Sequence, residues 1–252
     1  MSALRVIRTS YPEDPAFDTA VSRALMLRVA AGEEPETLRI ARPGRMVAFG
    51  KRDVVAPGYA EGVSAARVGG FEAIERLAGG RAAVFHEDTI SFAHSIPDED
   101  PRSHIEERFD ATAELMAAAF RTLGIDARVG EVPGEYCPGD HSVSVAGERK
   151  LMGVGQRLVS GAAHVGGVVV VDRADLVRGI LVPVYAALSL EWRPETTGDL
   201  VSEVPATTWD AVVEAMLAEY ACHYELEEVE PGTEMVELAR QLAPEHRSPE
   251  RV

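Results

Sequence analysis

The chain has 252 residues, and its 41 acidic against 25 basic side chains give a net charge of −16, a balance that argues against general binding to nucleic-acid phosphates. A hydrophobic content of 46% with 26% charged residues suits one substantial buried core, and no apolar run approaches the roughly 18 residues of a membrane span. Residues 1–10 carry Arg5 and Arg8 but no apolar leader core, and Cys137 and Cys222 lack zinc-ligand spacing, so we expect a cytoplasmic protein without a metal centre.

Leu4 to Arg8 is predicted as a first strand. Asp14 then caps a helix with Pro15 at its first position, and Phe17, Val21, Ala24, Leu25 and Val29 form its buried stripe. Leu38 to Ala41 and Met46 to Phe49 are predicted strands, and Gly50-Lys51-Arg52-Asp53 leaves the second on a loop. A short helix at Tyr59 to Arg67 and a strand at Phe71 to Ile74 lead to Gly79-Gly80, where two missing Cβ atoms allow close backbone approach. Ala82-Ala83 begin the next strand, with Ser91 to Ile96 expected as the return strand of a hairpin. Phe109, Ala113, Met116, Phe120 and Leu123 mark the longest helix, which Gly124 ends, and a strand follows at Ile125 to Val129. Val168 to Val171 suits a buried strand. After Arg193-Pro194 the pattern turns helical: Val213, Met216, Leu217 and Tyr220 share one face, with Cys222 as core filling, and Thr233 caps a last helix carrying Leu238 and Leu242. Ala243 to Val252 is expected to fray. The division expected from this is a main domain over residues 1–205 with a helical extension, 206–252, packed on it.

The chemistry concentrates in Gly134 to Gly155, GEYCPGDHSVSVAGERKLMGVG. Pro138-Gly139 puts Cys137 on irregular backbone that substrate can reach, and Ser142 to Val145, Ala146-Gly147 and Lys150 to Val159 form a β-hairpin. Strand parity places Lys150, Met152 and Val154 on one face, so the Lys150 amine is partly desolvated unless an opposite charge compensates. A thiol attacks an acyl carbonyl as thiolate. Lys150 is the nearest group to favour that thiolate or to stabilise an oxyanion, or, deprotonated, to act as base; His141 and His164 are rival partners, each better explained as a surface or structural histidine. The glycines Gly153 and Gly155 make room rather than bind a dinucleotide, since no helix follows them.

Two motifs carry a family resemblance. Arg76-Leu77-Ala78-Gly79-Gly80-Arg81-Ala82, followed by His86, and Gly147-Glu148-Arg149-Lys150-Leu151-Met152-Gly153 resemble the R-x-x-G-G-x-A motif and the lysine hairpin of the lipoate-protein ligase and octanoyl-protein transferase family. The second has one extra residue before its lysine. Tyr136-Cys137-Pro138-Gly139-Asp140 is most similar to the branch that moves octanoyl or lipoyl groups through a cysteine thioester. The resemblance, from roughly Arg5 to Val171, implies an α/β biotin-ligase-like fold with a mixed, mostly antiparallel sheet and flanking helices. It implies Cys137 and Lys150 as catalytic residues, and Arg76, Gly79, Gly80, Ala82, His86, Gly153 and Gly155 as substrate-binding residues. An acylated carrier protein is the implied donor, and a lipoyl domain or glycine-cleavage carrier protein the acceptor.

No cofactor is required in that reading, because thioester to amide is downhill. The alternative is an ATP- and Mg-dependent lipoate ligase in which Lys150 binds the acyl-adenylate; Arg81 stands where those ligases have glycine. A second alternative is a carrier-binding module without catalysis. Lys51, Arg52, Arg76, Arg81, Arg149 and Arg157 are the cations expected to meet an acidic carrier.

Overall fold

The structure, a computed structural model, describes residues 2–249. In chain order the elements are β1 (Ser2–Ile7), α1 (Pro15–Ala30), β2 (Thr37–Ala41), β3 (Met46–Phe49), α2 (Lys51–Val54), α3 (Tyr59–Val68), β4 (Glu72–Glu75), β5 (Ala83–Phe85) and β6 (Thr89–Asp98). Then follow α4 (Ile105–Thr122), β7 (Ala127–Val129), β8 (Val143–Val145), β9 (Arg149–Val159), β10 (Gly161–Val170), α5 (Ala174–Ala187), α6 (Leu200–Glu203), α7 (Trp209–Ala221), β11 (Tyr224–Glu228) and α8 (Thr233–Leu242). The Asp14 carboxylate accepts the Phe17 N–H at 3.1 Å and Pro15 opens α1, an N-cap worth about 1 kcal/mol. Gly124, at φ +88°, follows α4 in the left-handed conformation that a side chain resists.

An eight-stranded sheet runs β11-β1-β2-β6-β10-β9-β8-β7, and a three-stranded sheet runs β4-β3-β5. Among the described strands, β11–β1, β1–β2 and β3–β4 pair in parallel and the others antiparallel. The long antiparallel ladder of β6 on β10, from Gly161↔Asp98 to Val170↔Thr89, forms the middle of the large sheet. On one side its apolar residues meet α4 and α7, packing Phe92, Met152 and Val169 with Met116, Phe120 and Met216. The small sheet builds a separate core with α3 and α5, in which Phe49 and Val84 meet Val177, Leu181 and Tyr185. No helix of the described residues is long and apolar enough to cross a membrane.

Several local expectations change. The β5 strand pairs with β3, whereas β6 pairs with β2 and β10, so the expected hairpin is a crossover between the sheets. His86 turns that crossover: its carbonyl accepts the Thr89 N–H and hydroxyl, and its Nδ1 accepts the Asp88 N–H at 3.2 Å. The loop after β3 closes into the short α2. A further helix, α5, was not anticipated, and Pro183 lies inside it. Cys222 is exposed just beyond α7 rather than in the core. Gly232, not Thr233, is the cap position of α8, and the expected helical tail contains β11. Residues 243–249 are docked, not frayed: Arg247 pairs with Asp14 at 2.8 Å and the Ser248 N–H donates to Ala73. Residues 250–252 of that expectation lie outside the described residues.

Candidate active site

The turn that carries Cys137 is built around a buried carboxylate. Glu135 Oε1 accepts the Ser142 hydroxyl at 3.0 Å and the Gly139 N–H at 3.2 Å, while Oε2 lies 3.1 Å from Lys150 Nζ. Both members of this pair are almost fully enclosed, Glu135 at 2% and Lys150 at 1% exposure. The Lys150 ammonium also donates to the carbonyls of Cys137 at 2.8 Å and Tyr136 at 3.1 Å. Two carbonyls thus take hydrogen bonds from the ammonium, and the carboxylate meets it as an ion pair. Lys150 is therefore compensated by Glu135 and grips the backbone beside the thiol. Sequence reasoning missed Glu135. Its signal was available, because a buried lysine needs an opposite charge and Glu135 stands two residues before Cys137.

Cys137 itself adopts φ +43°, the left-handed region that costs a residue with a side chain roughly 1–2 kcal/mol. Its sulfur accepts the Arg81 backbone N–H at 3.1 Å, and its own N–H donates to the Tyr185 hydroxyl at 2.9 Å. The glycine motif thus meets the thiol directly. A Cβ on Gly80, which sits at φ +105°, would come within 2.8 Å of that sulfur, so both backbone and space demand glycine. Arg76 folds the same loop by donating to the carbonyls of Ala78 at 3.2 Å and Arg81 at 2.9 Å. The Arg81 guanidinium turns away to buried Asp53 at 3.1 Å.

Strand β9 corrects the parity argument. Ser144 pairs with Lys150, but the next step along β8 pairs Val143 with Met152, so Leu151 is an extra residue, a bulge, on β9. One inserted residue exchanges faces. Met152 consequently packs in the α4 core with Val154 against it, whereas Lys150 shares its face with Gly153 and Gly155. A Cβ on Gly153 would touch the Lys150 Cε at 3.0 Å, and one on Gly155 would lie 3.0 Å from Arg76 Nη2. These glycines let the Arg76 loop and the lysine lie on the sheet.

Between the two sheets is a cavity of about 540 Å³, within the range of small-molecule sites, lined by Cys137, Lys150, Arg76, Gly79, Gly80, Gly153 and Gly155 with Met46, Ala48 and Phe85. Ala82 and His86, also predicted as substrate-binding, are not among its lining residues: Ala82 is buried, with its carbonyl on the Tyr185 hydroxyl, and His86 serves the crossover turn. His164 lines the cavity, and burial pushes its imidazole down to about 4, so it is neutral at neutral pH. His141 stacks on Phe109 and lies 3.0 Å from Asp110 Oδ1. Neither imidazole is hydrogen-bonded to the Cys137 sulfur among the described residues. Of the cations expected to meet a carrier, Arg149 is paired with Glu203 at 2.6 Å and Arg81 with Asp53, while Lys51 and Arg52 are exposed on α2 without an ion pair among the described residues.

A helix-flanked, two-sheet α/β fold with a cysteine, a glycine loop and a buried lysine around one inter-sheet cavity defines the class of the molecule. The chain belongs to the lipoyl protein ligase A/B catalytic domain family, whose model matches residues 14–220. Among its relatives is the octanoyl-[GcvH]:protein N-octanoyltransferase of Geobacillus kaustophilus, 31% identical over 155 residues, covering 60% of this chain and 54% of the relative. The lipoyl-[GcvH]:protein N-lipoyltransferase of Listeria monocytogenes is 25% identical over 180 residues, covering 70% and 64%. The chain thus spans between about half and two thirds of the length of these relatives. A bipartite lipoate protein ligase from Thermoplasma acidophilum, solved in a study of that ligase and its E2 lipoyl domain, has the same fold, with a TM-score of 0.76 at 21% identity over 97% of this chain and 93% of that one. A lipoate-protein ligase A bound with ATP gives 0.78 at 20% identity, covering 97% and 95%.

Proposed function

We propose that this chain is an octanoyl or lipoyl protein N-acyltransferase that works through a thioester on Cys137. The supporting observation is the Arg81 N–H held on the Cys137 sulfur at 3.1 Å, within a cavity whose glycine floor leaves room for a chain. The Arg81 amide dipole is aimed at the atom that must attack the acyl carbon. The two named relatives take octanoyl or lipoyl groups on GcvH to a protein, and we extend that pairing to this chain: an acylated glycine-cleavage carrier as donor and a lipoyl-carrier lysine as acceptor.

In the first step the sulfur bonds to the acyl carbonyl carbon, the bond from that carbon to the donor carrier breaks, and the thiol proton goes to the carrier atom as it leaves. The Arg81 amide, 3.1 Å from sulfur, is positioned to donate to the oxyanion that forms beside it. Lys150, committed to Glu135 and two carbonyls, holds the turn through which the thiol is presented. In the second step an acceptor lysine amine bonds to the thioester carbon, the C–S bond breaks, and the amine proton returns to the thiol. No nucleotide enters either step. The test is acyl transfer from octanoylated GcvH to a lipoyl domain with and without Mg-ATP: equal rates and no pyrophosphate are expected, and strict dependence on ATP would favour the adenylate-forming ligase.

Gly80→Val probes the cavity. A branched side chain at φ +105° would strain the loop and strike the sulfur, so octanoyl transfer is expected to fall at least 100-fold, about 2.7 kcal/mol at the barrier. Steady-state transfer to a lipoyl domain measures it, and full activity would show that the chain does not pass this loop.

A further inference from the structure

Both backbone polar groups of Cys137 are held by buried side chains. Lys150 takes its carbonyl at 2.8 Å, and the Tyr185 hydroxyl takes its N–H at 2.9 Å. Tyr185 then donates its own proton to the Ala82 carbonyl at 3.0 Å. Ala82 directly follows Arg81, whose N–H is on the Cys137 sulfur at 3.1 Å. Three hydrogen bonds therefore close a circuit: Cys137 N–H to Tyr185, Tyr185 to Ala82, and Arg81 N–H back to Cys137. This circuit joins the cysteine turn to the glycine loop at the point where the thiol meets them.

We propose that Tyr185 is a positioning residue for acylation of Cys137, fixing the thiol-bearing turn against the Arg81 amide; this rests on the thioester reading above. Tyr185 comes from α5, outside every motif, and is 2% exposed in the small-sheet core. A left-handed Cys137 is not a conformation that its own backbone prefers, and hydrogen bonds from both sides are what hold it. Because Tyr185 already accepts the Cys137 N–H, that amide is engaged, and the Arg81 amide is left to face both sulfur and oxyanion. Burial raises the Tyr185 phenol well above its ordinary range, so the O–H that serves Ala82 persists across neutral pH.

The test is the time course of Cys137 acylation, followed by intact mass after mixing with octanoylated GcvH. Tyr185→Phe keeps the ring and removes both bonds. It is expected to slow adduct formation about tenfold or more while still reaching the wild-type extent of acylation at long times. A merely structural role would instead lower the final stoichiometry without changing the rate of the surviving fraction. Trp192→Phe perturbs the same aromatic cluster, its ring centroid lying 5.3 Å from that of Tyr185, without touching the hydroxyl, and is expected to acylate within about twofold of wild type. Wild-type adduct with an unchanged rate in Tyr185→Phe, or a lower final stoichiometry at an unchanged rate, overturns this inference alone. No adduct on the wild-type protein overturns the thioester reading and this inference together.

Discussion

Cys137→Ala is expected to lose both the covalent acyl adduct and transfer to the acceptor. The other cysteine, Cys222, is exposed beyond α7 and is not among the cavity-lining residues, so it offers no substitute sulfur. Loss of a nucleophile should lower the transfer rate by at least about 10⁴-fold, and Cys137→Ser, with a poorer nucleophile, should retain a slow residue of activity. Stability should change little, because alanine carries the same Cβ at φ +43° and only the sulfur's bond from the Arg81 N–H is lost. Transfer assays and thermal unfolding of the same samples check both halves. A Cys137→Ala variant that still transfers acyl groups when ATP is added would leave the adenylate-forming ligase as the better account.

Lys150→Ala should fail for a different reason. It strands Glu135 as an uncompensated charge at 2% exposure and frees the carbonyls of Tyr136 and Cys137. Removing one partner of a buried ion pair costs about 3–5 kcal/mol, equivalent to a fall of roughly 6–20 °C in the unfolding midpoint for a chain of this size. The double variant Lys150→Met with Glu135→Gln removes both charges and should recover more than half of that stability. Activity should remain low in the double variant, since nothing then holds the Cys137 carbonyl. Calorimetry on the single and double variants decides it. A Lys150→Ala protein as stable as wild type would show that the pair does not hold the turn.

How far the sequence could be read depends on which forces are local. The cap at Asp14-Pro15, the α4 stripe ending at Gly124 and the Ala146-Gly147 turn follow from residues a few positions apart, and they stand as expected. The cysteine, the lysine and the glycine loop, singled out by residue type and motif, do come together around one cavity. The face of Lys150 was not. A bulge at Leu151 exchanges the faces of β9, and alternation along a strand cannot reveal an inserted residue. The crossover at His86 hid for a similar reason: which sheet a strand joins is a long-range choice, not a property of its own residues. Helix α5 did have a visible stripe in Val177, Ile180, Leu181, Val184 and Tyr185, but its β-branched residues and Pro183 obscured it. With α5 went Tyr185, whose hydroxyl reaches two loops distant in sequence. Glu135 lay next to the motif, and only the burial of Lys150 shows why a carboxylate belongs there.

The central claim is that Cys137 carries the acyl group between proteins. Its most direct measurement is the intact mass of the wild-type chain after brief mixing with octanoylated GcvH without nucleotide, followed by peptide mapping. A mass increase of one octanoyl group, sensitive to hydroxylamine, is expected on the peptide that contains Cys137, and it should disappear when an acceptor lipoyl domain is added. A chain that stays unmodified with octanoylated GcvH alone, yet octanoylates the acceptor in a parallel mixture, would contradict it.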